Sequence, residues 1–222
     1  MNNKILTIIP SRGRPKECAR TIDSFLKTSK NSDLAVLLDE DDPLLSEYLN
    51  ISPKMFWWTE KRDTITNRIN RFTLQNLNDY KFFHLTNDDV IYHTKDWDVS
   101  FINKLEEYGH GIIYGDDLFQ RENLPTFPFI SQEIVKAVGW LQMPLLNRYY
   151  GDMVWKYIGQ NAGCIYYCHY IIIEHMHQLA GKGEYPVDMD IYEKDGQVLA
   201  QWLATSATRD INKVRRLYDT TG

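Results

Sequence analysis

"YKFFHLTNDDVIYHTKDWD", residues 80–98, sets an apolar run directly against two adjacent carboxylates, Asp88 and Asp89. The run "KFFHL" has the length and aromatic content of a buried strand. Asn and Asp are favoured turn residues, so "TNDD" reads first as the turn that ends it. The competing reading is a site, because a strand end holds carboxylates rigidly, where hard oxygen ligands bind Mg2+ or Mn2+ against a diphosphate. The choice depends on what the rest of the chain brings to the same edge.

Toward the N-terminus, strand-like and helix-like segments alternate, the pattern of βαβ units and a mostly parallel sheet. "KILTIIP" is a strand stopped by Pro10, and Pro15 opens a helix whose Cys18, Ile22, Phe25 and Leu26 recur at helical spacing. "LAVLLDEDDP" is a second strand running into an acidic loop, and "KMFWWTE" is a third. Asp63 is the expected N-cap of the helix that carries Ile65, Ile69 and Phe72. Beyond residue 98, "SFINKLEEY" reads as a helix, "HGIIYGDD" as a strand, and "SQEIVKAVGWL" as a helix capped by Ser131. "GDMVWKYIGQNAG" is a helix ending near Gly163, and "CIYYCHYIIIEH" is a strand with Cys164 and Cys168 on one face. A helical tail is expected over Gln197–Tyr218. No linker, repeat or low-complexity tract interrupts the 222 residues, so one domain over 1–222 is expected.

Composition narrows the function classes. With 43% hydrophobic and 25% charged residues, and with 14 Tyr, 9 Phe and 6 Trp, the chain buries a core rather than staying disordered. A net charge of -5 argues against a protein whose main business is gripping nucleic acid by its phosphates. The one basic concentration, Arg209, Lys213, Arg215 and Arg216, is explained by a solvated helix face. Three cysteines, an odd number without zinc-ribbon spacing, argue against a disulfide framework. Neither a secretory leader nor a membrane span is readable, and a cytoplasmic protein is expected.

In open α/β sheets, ligands settle beyond the carboxyl ends of the strands. Three such ends are polar here: "PSRGR" after the first strand, "DEDD" after the second and "TNDD" after the fourth. In that order and spacing, residues 4–177 resemble a GT-A glycosyltransferase similar to family 2. "TIIPSRGRPKECARTIDSF" resembles that family's nucleotide-holding strand, loop and helix, which implies donor contacts from Pro10, Ser11, Arg12 and Arg14. "VLLDEDD" resembles the second strand, whose terminal acid, Asp39, then touches base or ribose. "ITNRINRFTLQNLNDYKFFHLTNDDV" resembles the approach to the metal-binding DxD motif, with Asn87 in its first place, Asp88 close to ribose or metal, and Asp89 as metal ligand. "FISQEIVKAVGWL" and "YYGDMVWKYIGQNAG" resemble the acceptor segment and the "ED" helix, which implies Asp152 as catalytic base. "EHMH" resembles the late metal or diphosphate histidine, with His175 and His177 both eligible. The sequence departs from the pattern at Asn87 and at Gly151-Asp152, where one carboxylate stands for two. It also lacks the processive synthases' "QxxRW".

The chemistry accounts for the residue types. A divalent cation stabilises charge developing on a nucleoside-diphosphate leaving group, and planar guanidinium groups of Arg12, Arg14 and Arg68 suit the diphosphate. A carboxylate within reach of the acceptor hydroxyl removes its proton. Asp152, at a helix start where the dipole favours the ionised form, fits that role and equally that of a plain N-cap. Flat faces of Trp140, Tyr149 and Tyr150 suit an acceptor sugar or base. His84, His93, His110 and His169 read as ordinary structural residues.

The resemblance therefore implies an α/β GT-A domain, with a nucleotide-sugar half over 1–98, an acceptor half over 99–192 and a helical tail over 193–222. It implies an inverting transferase using a nucleotide sugar, UDP-linked by preference, with Mn2+ or Mg2+. The acceptor hydroxyl belongs to a saccharide or glycoconjugate, or alternatively to a hydroxylated DNA base. A nucleotidyltransferase is a rival that would want a more Gly-rich loop than "PSRGRP", and a non-catalytic nucleotide-sugar binder is another.

Overall fold

A computed structural model describes residues 2–52, 56–183 and 187–219. Its elements run β1 (Asn2–Pro10), α1 (Pro15–Thr28), β2 (Ser32–Asp39), α2 (Leu45–Leu49), β3 (Phe56–Glu60), α3 (Ile65–Gln75), β4 (Tyr80–Leu85) and β5 (Val90–Tyr92). They continue α4 (Trp97–Tyr108), β6 (Ile112–Asp116), β7 (Phe129–Ser131), α5 (Gln132–Val138), α6 (Gly151–Ala162), β8 (Ile165–His175), α7 (Met189–Thr205) and α8 (Ala207–Asp219). Residues 54 and 55 of the expected third strand and the last three of the tail lie outside the described residues.

The strands form one sheet in the order β3-β2-β1-β4-β7-β6-β8-β5. β3, β2, β1 and β4 pair in parallel. β7 is antiparallel to both β4 and β6, which restores the common direction in β6 and its parallel partner β8. Only β7 and the short β5, antiparallel to β8, run against the rest. The carboxyl ends of β1, β2, β4 and β8 therefore open on one edge.

At the centre of the sheet both faces are covered, which is why β1 and β2 are continuous apolar runs rather than alternating ones. Along β1, Leu6 and Ile8 enter one core with α3, α5, α6 and α8, while Ile5 and Ile9 enter the other with α1 and α4. β2 divides in the same way, Ala35 and Leu37 against Leu34, Val36 and Leu38. Fully burying each of these Leu, Ile and Val side chains contributes about 1.5–3 kcal/mol.

Several local expectations shift. Thr64, not Asp63, caps α3, its hydroxyl accepting from Asn67 N, while Asp63 accepts from Thr64 N and the Asn67 amide one step earlier. Ser131 stands at the cap of α5 but bonds Gly111 instead, both its N–H and its C=O. Cys164 and Cys168 are buried in opposite cores, because Cys164 belongs to the turn after Gly163 and not to the strand. The tail is two helices that start at Met189 and break at Ser206.

Candidate active site

A cleft of about 560 Å³ opens along the shared strand edge. Among the residues that line it are Pro10, Ser11, Arg12, Arg14, Asp39, Arg68, Asn87, Asp88, Asp89, Tyr149, Tyr150, Asp152, His175 and His177. Trp140 is the one expected site residue that does not line it. Its ring is buried 4.9 Å from that of Trp155, in the core under α6. Trp155 lines the cleft instead, with its indole N–H donated to Leu141 O.

The β4 end is both turn and site. β4 stops at Leu85, and the chain folds back through residues 86–89 so that β5 pairs with β8, Val90 opposite His175. Asp89 O accepts from Met176 N, and His175 N donates to Asp117 O, fixing the two strand ends side by side. Arg14, delivered by the loop after β1, bridges the adjacent carboxylates, 2.9 Å from Asp88 Oδ1 and 3.3 Å from Asp89 Oδ2. Ser11 Oγ donates to Asp88 Oδ2 at 2.6 Å and lies 2.8 Å from the Tyr48 hydroxyl, which accepts from Arg14 N. Tyr48 comes from α2 and has no local sequence signal.

The two aspartates titrate apart. Burial pushes Asp88 up to about 6, against the charge of Arg14 and the Ser11 bond. Burial also acts to raise Asp89, but the bond and charge of His175, with those of Arg14, outweigh it and hold the carboxyl below its usual range. His175 Nε2 lies 3.5 Å from Asp89 Oδ1, at the limit of hydrogen-bond range. Asp89 Oδ1 and His175 Nδ1 are buried without a full hydrogen bond. His177 packs its ring 4.8 Å from that of His175, while its own Nδ1 accepts from Leu179 N. Burial and the charge of His175 hold His177 below its ordinary value.

Among the described residues no group of three or more metal-ligating side chains converges. The hard oxygen of Asp89 and the nitrogen of His175 nevertheless fit Mg2+ or Mn2+, which dehydrate reluctantly and complete their shells with water and substrate phosphate. A buried carboxylate oxygen left short of donors is the feature such an ion satisfies.

At the other end, the acidic loop after β2 holds the loop after β1. Arg12 binds Asp39 at 2.9 Å and Asp41 at 2.6 Å, and Gly13 N donates to Asp42. Gly13 has φ of +69°, the left-handed region that favours glycine. Arg68, from α3, lies 2.7 Å from the second oxygen of Asp39, and both are almost wholly buried. Burial lowers the Arg68 pKa. Asp39 thus carries two arginines, and Arg12 is committed to carboxylates.

Asp152 lies one residue into α6. The cap position belongs to Tyr150, in the left-handed region at φ 68°, so Asp152 is not the N-cap. Its Oδ1 accepts from Met153 N at 2.8 Å. Burial pushes its carboxyl up to about 6, against that bond and another backbone bond, with the charges of His175 and Asp117 also acting on it. The helix start therefore does not hold it as firmly ionised as position alone suggests. Where a second acid would stand, Gly151 leaves room for Gln142: a Cβ there would stand 2.3 Å from its Oε1, so a larger residue requires that side chain to move. Gln142 and Arg148 line the cleft too, and neither is marked in the sequence.

No protein-family model matches the chain. No curated protein matches it in sequence. Solved structures do match in three dimensions. TarS residues 1–349 of S. aureus superpose with a TM-score of 0.55 at 11% identity, over 92% of this chain and 73% of that one. The mannosyltransferase PcManGT from Pyrobaculum calidifontis, in complex with GDP-Man and Mn2+, gives 0.56 at 8% identity, over 99% and 76%. The chain has the GT-A fold. Against a longer TarS structure the GT-A chain spans 44% of the length, and TarS 1–349 has also been solved with UDP. No helix among the described residues of this GT-A chain is long and apolar enough to cross a membrane.

Proposed function

We propose that the protein is a glycosyltransferase that transfers a sugar from a nucleotide sugar, UDP-linked by preference, to an acceptor hydroxyl with inversion. The observation that carries this reading is one cleft lined both by the Arg14-bridged pair Asp88 and Asp89 and by Asp152, whose carboxyl is raised by burial. Two carboxyl sites set to different tasks in one cleft are what donor binding and general base catalysis require. In this reading residues 1–98 are the donor half and the acceptor half follows from residue 99, with α7 and α8 as the helical tail.

Asp89 and His175, with His177 beside them, would hold Mn2+ or Mg2+, which supplies charge neutralisation for a diphosphate leaving group when bound. The chain's own residues do the rest. Arg14 offers its guanidinium to the diphosphate, Ser11 and Tyr48 keep Asp88 in place, and Asp39 with Arg12 and Arg68 bounds the nucleoside end. Asp152 accepts the acceptor hydroxyl's proton as oxygen attacks the anomeric carbon and the bond from that carbon to the diphosphate oxygen breaks. Displacement from the face opposite the leaving group inverts the centre. Tyr149 and Tyr150 present aromatic surface to a saccharide or glycoconjugate acceptor.

A thermal-shift panel of nucleotides and nucleotide sugars, with and without Mn2+, tests the reading. A ligand that binds only the folded chain raises its melting temperature with occupancy. A Mn2+-dependent shift with UDP or a UDP-sugar is expected, and a flat panel overturns the assignment.

A further inference from the structure

The loop that delivers Tyr149, Tyr150 and Asp152 to the cleft is held by a residue far along the chain. Asp195 is fully buried in α7, and each of its oxygens takes two N–H donors. Oδ1 accepts from Asn147 N at 2.8 Å and from the Asn147 side-chain amide at 2.9 Å. Oδ2 accepts from Arg148 N at 2.7 Å and Tyr149 N at 2.8 Å. Three consecutive backbone N–H groups thus converge on one carboxylate, which compensates a buried charge that would otherwise be costly. Tyr150 follows in the left-handed region, and its carbonyl accepts from Val154 N to open α6.

The same stretch of α7 seats the aromatic pair. Asp188 caps α7 and donates its own N–H to the Tyr149 hydroxyl at 3.0 Å. Tyr192 places its ring 4.8 Å from that of Tyr150 and 5.5 Å from that of Tyr149. Gly196, next to Asp195, leaves room for the Tyr150 hydroxyl, 3.4 Å from where a Cβ would stand.

We propose that Asp195 is a positioning residue for the acceptor side, fixing loop 147–150 and through it Asp152. The proposal rests on the transferase reading for its catalytic meaning, but its structural arm stands without it. Asparagine at 195 keeps one oxygen and turns an amide toward N–H donors, so two of the four bonds are lost. Displacing a reacting group by about an ångström costs on the order of a hundredfold in rate.

The test is residue-resolved amide hydrogen exchange on the whole chain, with nucleotide-sugar turnover and UDP·Mn2+ affinity measured on the same samples. In the wild type the Asn147, Arg148 and Tyr149 amides should exchange far more slowly than exposed loop amides. In Asp195→Asn their exchange should rise by about tenfold or more, confined to 147–152. Turnover number should fall by ~10- to 100-fold, with a smaller change in UDP·Mn2+ affinity because Arg148 of the same loop acts on Asp88. Wild-type loop amides that exchange like exposed ones overturn the proposal, whether or not the variant folds. So does a variant in which α7 and α8 loosen as much as the loop, or one whose turnover is intact. If the wild type turns over no nucleotide sugar, the transferase reading fails by itself, and the exchange pattern alone decides whether Asp195 holds the loop.

Discussion

Replacing Asp152 by asparagine should stabilise the fold and disable the chemistry in the same molecule. Burial lifts this carboxyl from 3.8 to about 6, a preference for the neutral form worth up to ~3 kcal/mol. Below about pH 4 the group is protonated both folded and unfolded, and it contributes nothing. As pH rises toward 6 the unfolded chain releases the proton while the folded chain holds it, so stability falls through that window. Above about pH 6 the full cost remains. Asparagine keeps an oxygen for Met153 N and is neutral at every pH, so it removes the cost. Discounting for partial exposure and screening, the gain at pH 8 should be about 1–2 kcal/mol. For a chain of this length that is roughly 2–8 °C in melting temperature. The gain should vanish near pH 4, and turnover should fall by ~10²- to 10⁴-fold at pH 8. Melting curves of both proteins from pH 4 to 8, beside turnover and UDP affinity, check all of this. A variant less stable than wild type at pH 8, or a gain that ignores pH, refutes the burial argument; transfer at nearly the wild-type rate refutes the base.

Asp89→Ala should lose Mn2+-dependent UDP affinity while keeping its fold, and calorimetry showing unchanged metal-dependent binding would sink the ligand assignment. Chelation with EDTA should abolish turnover and added Mn2+ should restore it; full activity in chelator contradicts the metal role. Gly151→Ala puts a Cβ against the amide of Gln142, the end of a flexible side chain that lines the cleft, and should cost about 1 kcal/mol or less by denaturant titration. The double variant with Gln142→Ala should recover much of that loss, since the clashing group is gone, and strict additivity would refute the steric account.

The first four strands and their helices are legible because their signals are local: apolar runs of strand length, Pro10 and Pro15 as breaks, helical spacing in α1 and α3. The sequence also carries the carboxylate pair, since Asp88 and Asp89 follow a strand directly, and it carries Asp152. It does not carry the pairing of β5 with β8. Three residues, "VIY", have too little pattern to mark a strand, and their partner lies more than eighty positions on. Nor does it say that Arg12 and Arg68 both spend their charge on Asp39, because an arginine's partner depends on the sheet order. Trp140 and Trp155 illustrate the same limit: the placement of α5 and α6 on the sheet, invisible locally, decides which indole meets the cleft. Ser131 fills its expected place yet bonds to Gly111 across the sheet, where a tertiary donor outcompetes the helix end.

The pairing of Val90–Tyr92 with Ile173–His175 of β8 has a kinetic consequence. Closing so long a loop costs entropy before any contact rewards it, and pairings of such sequence separation form slowly. Strands β1, β2 and β4 can assemble around their connecting helices while Asp89 still lacks His175. The edge that pairs Asp89 with His175, the proposed ion site, is therefore complete only once the strand beginning at Ile165 is in register. In a refolding experiment, recovery of Mn2+ binding should lag recovery of helical signal, making the metal a clock for the completion of the sheet.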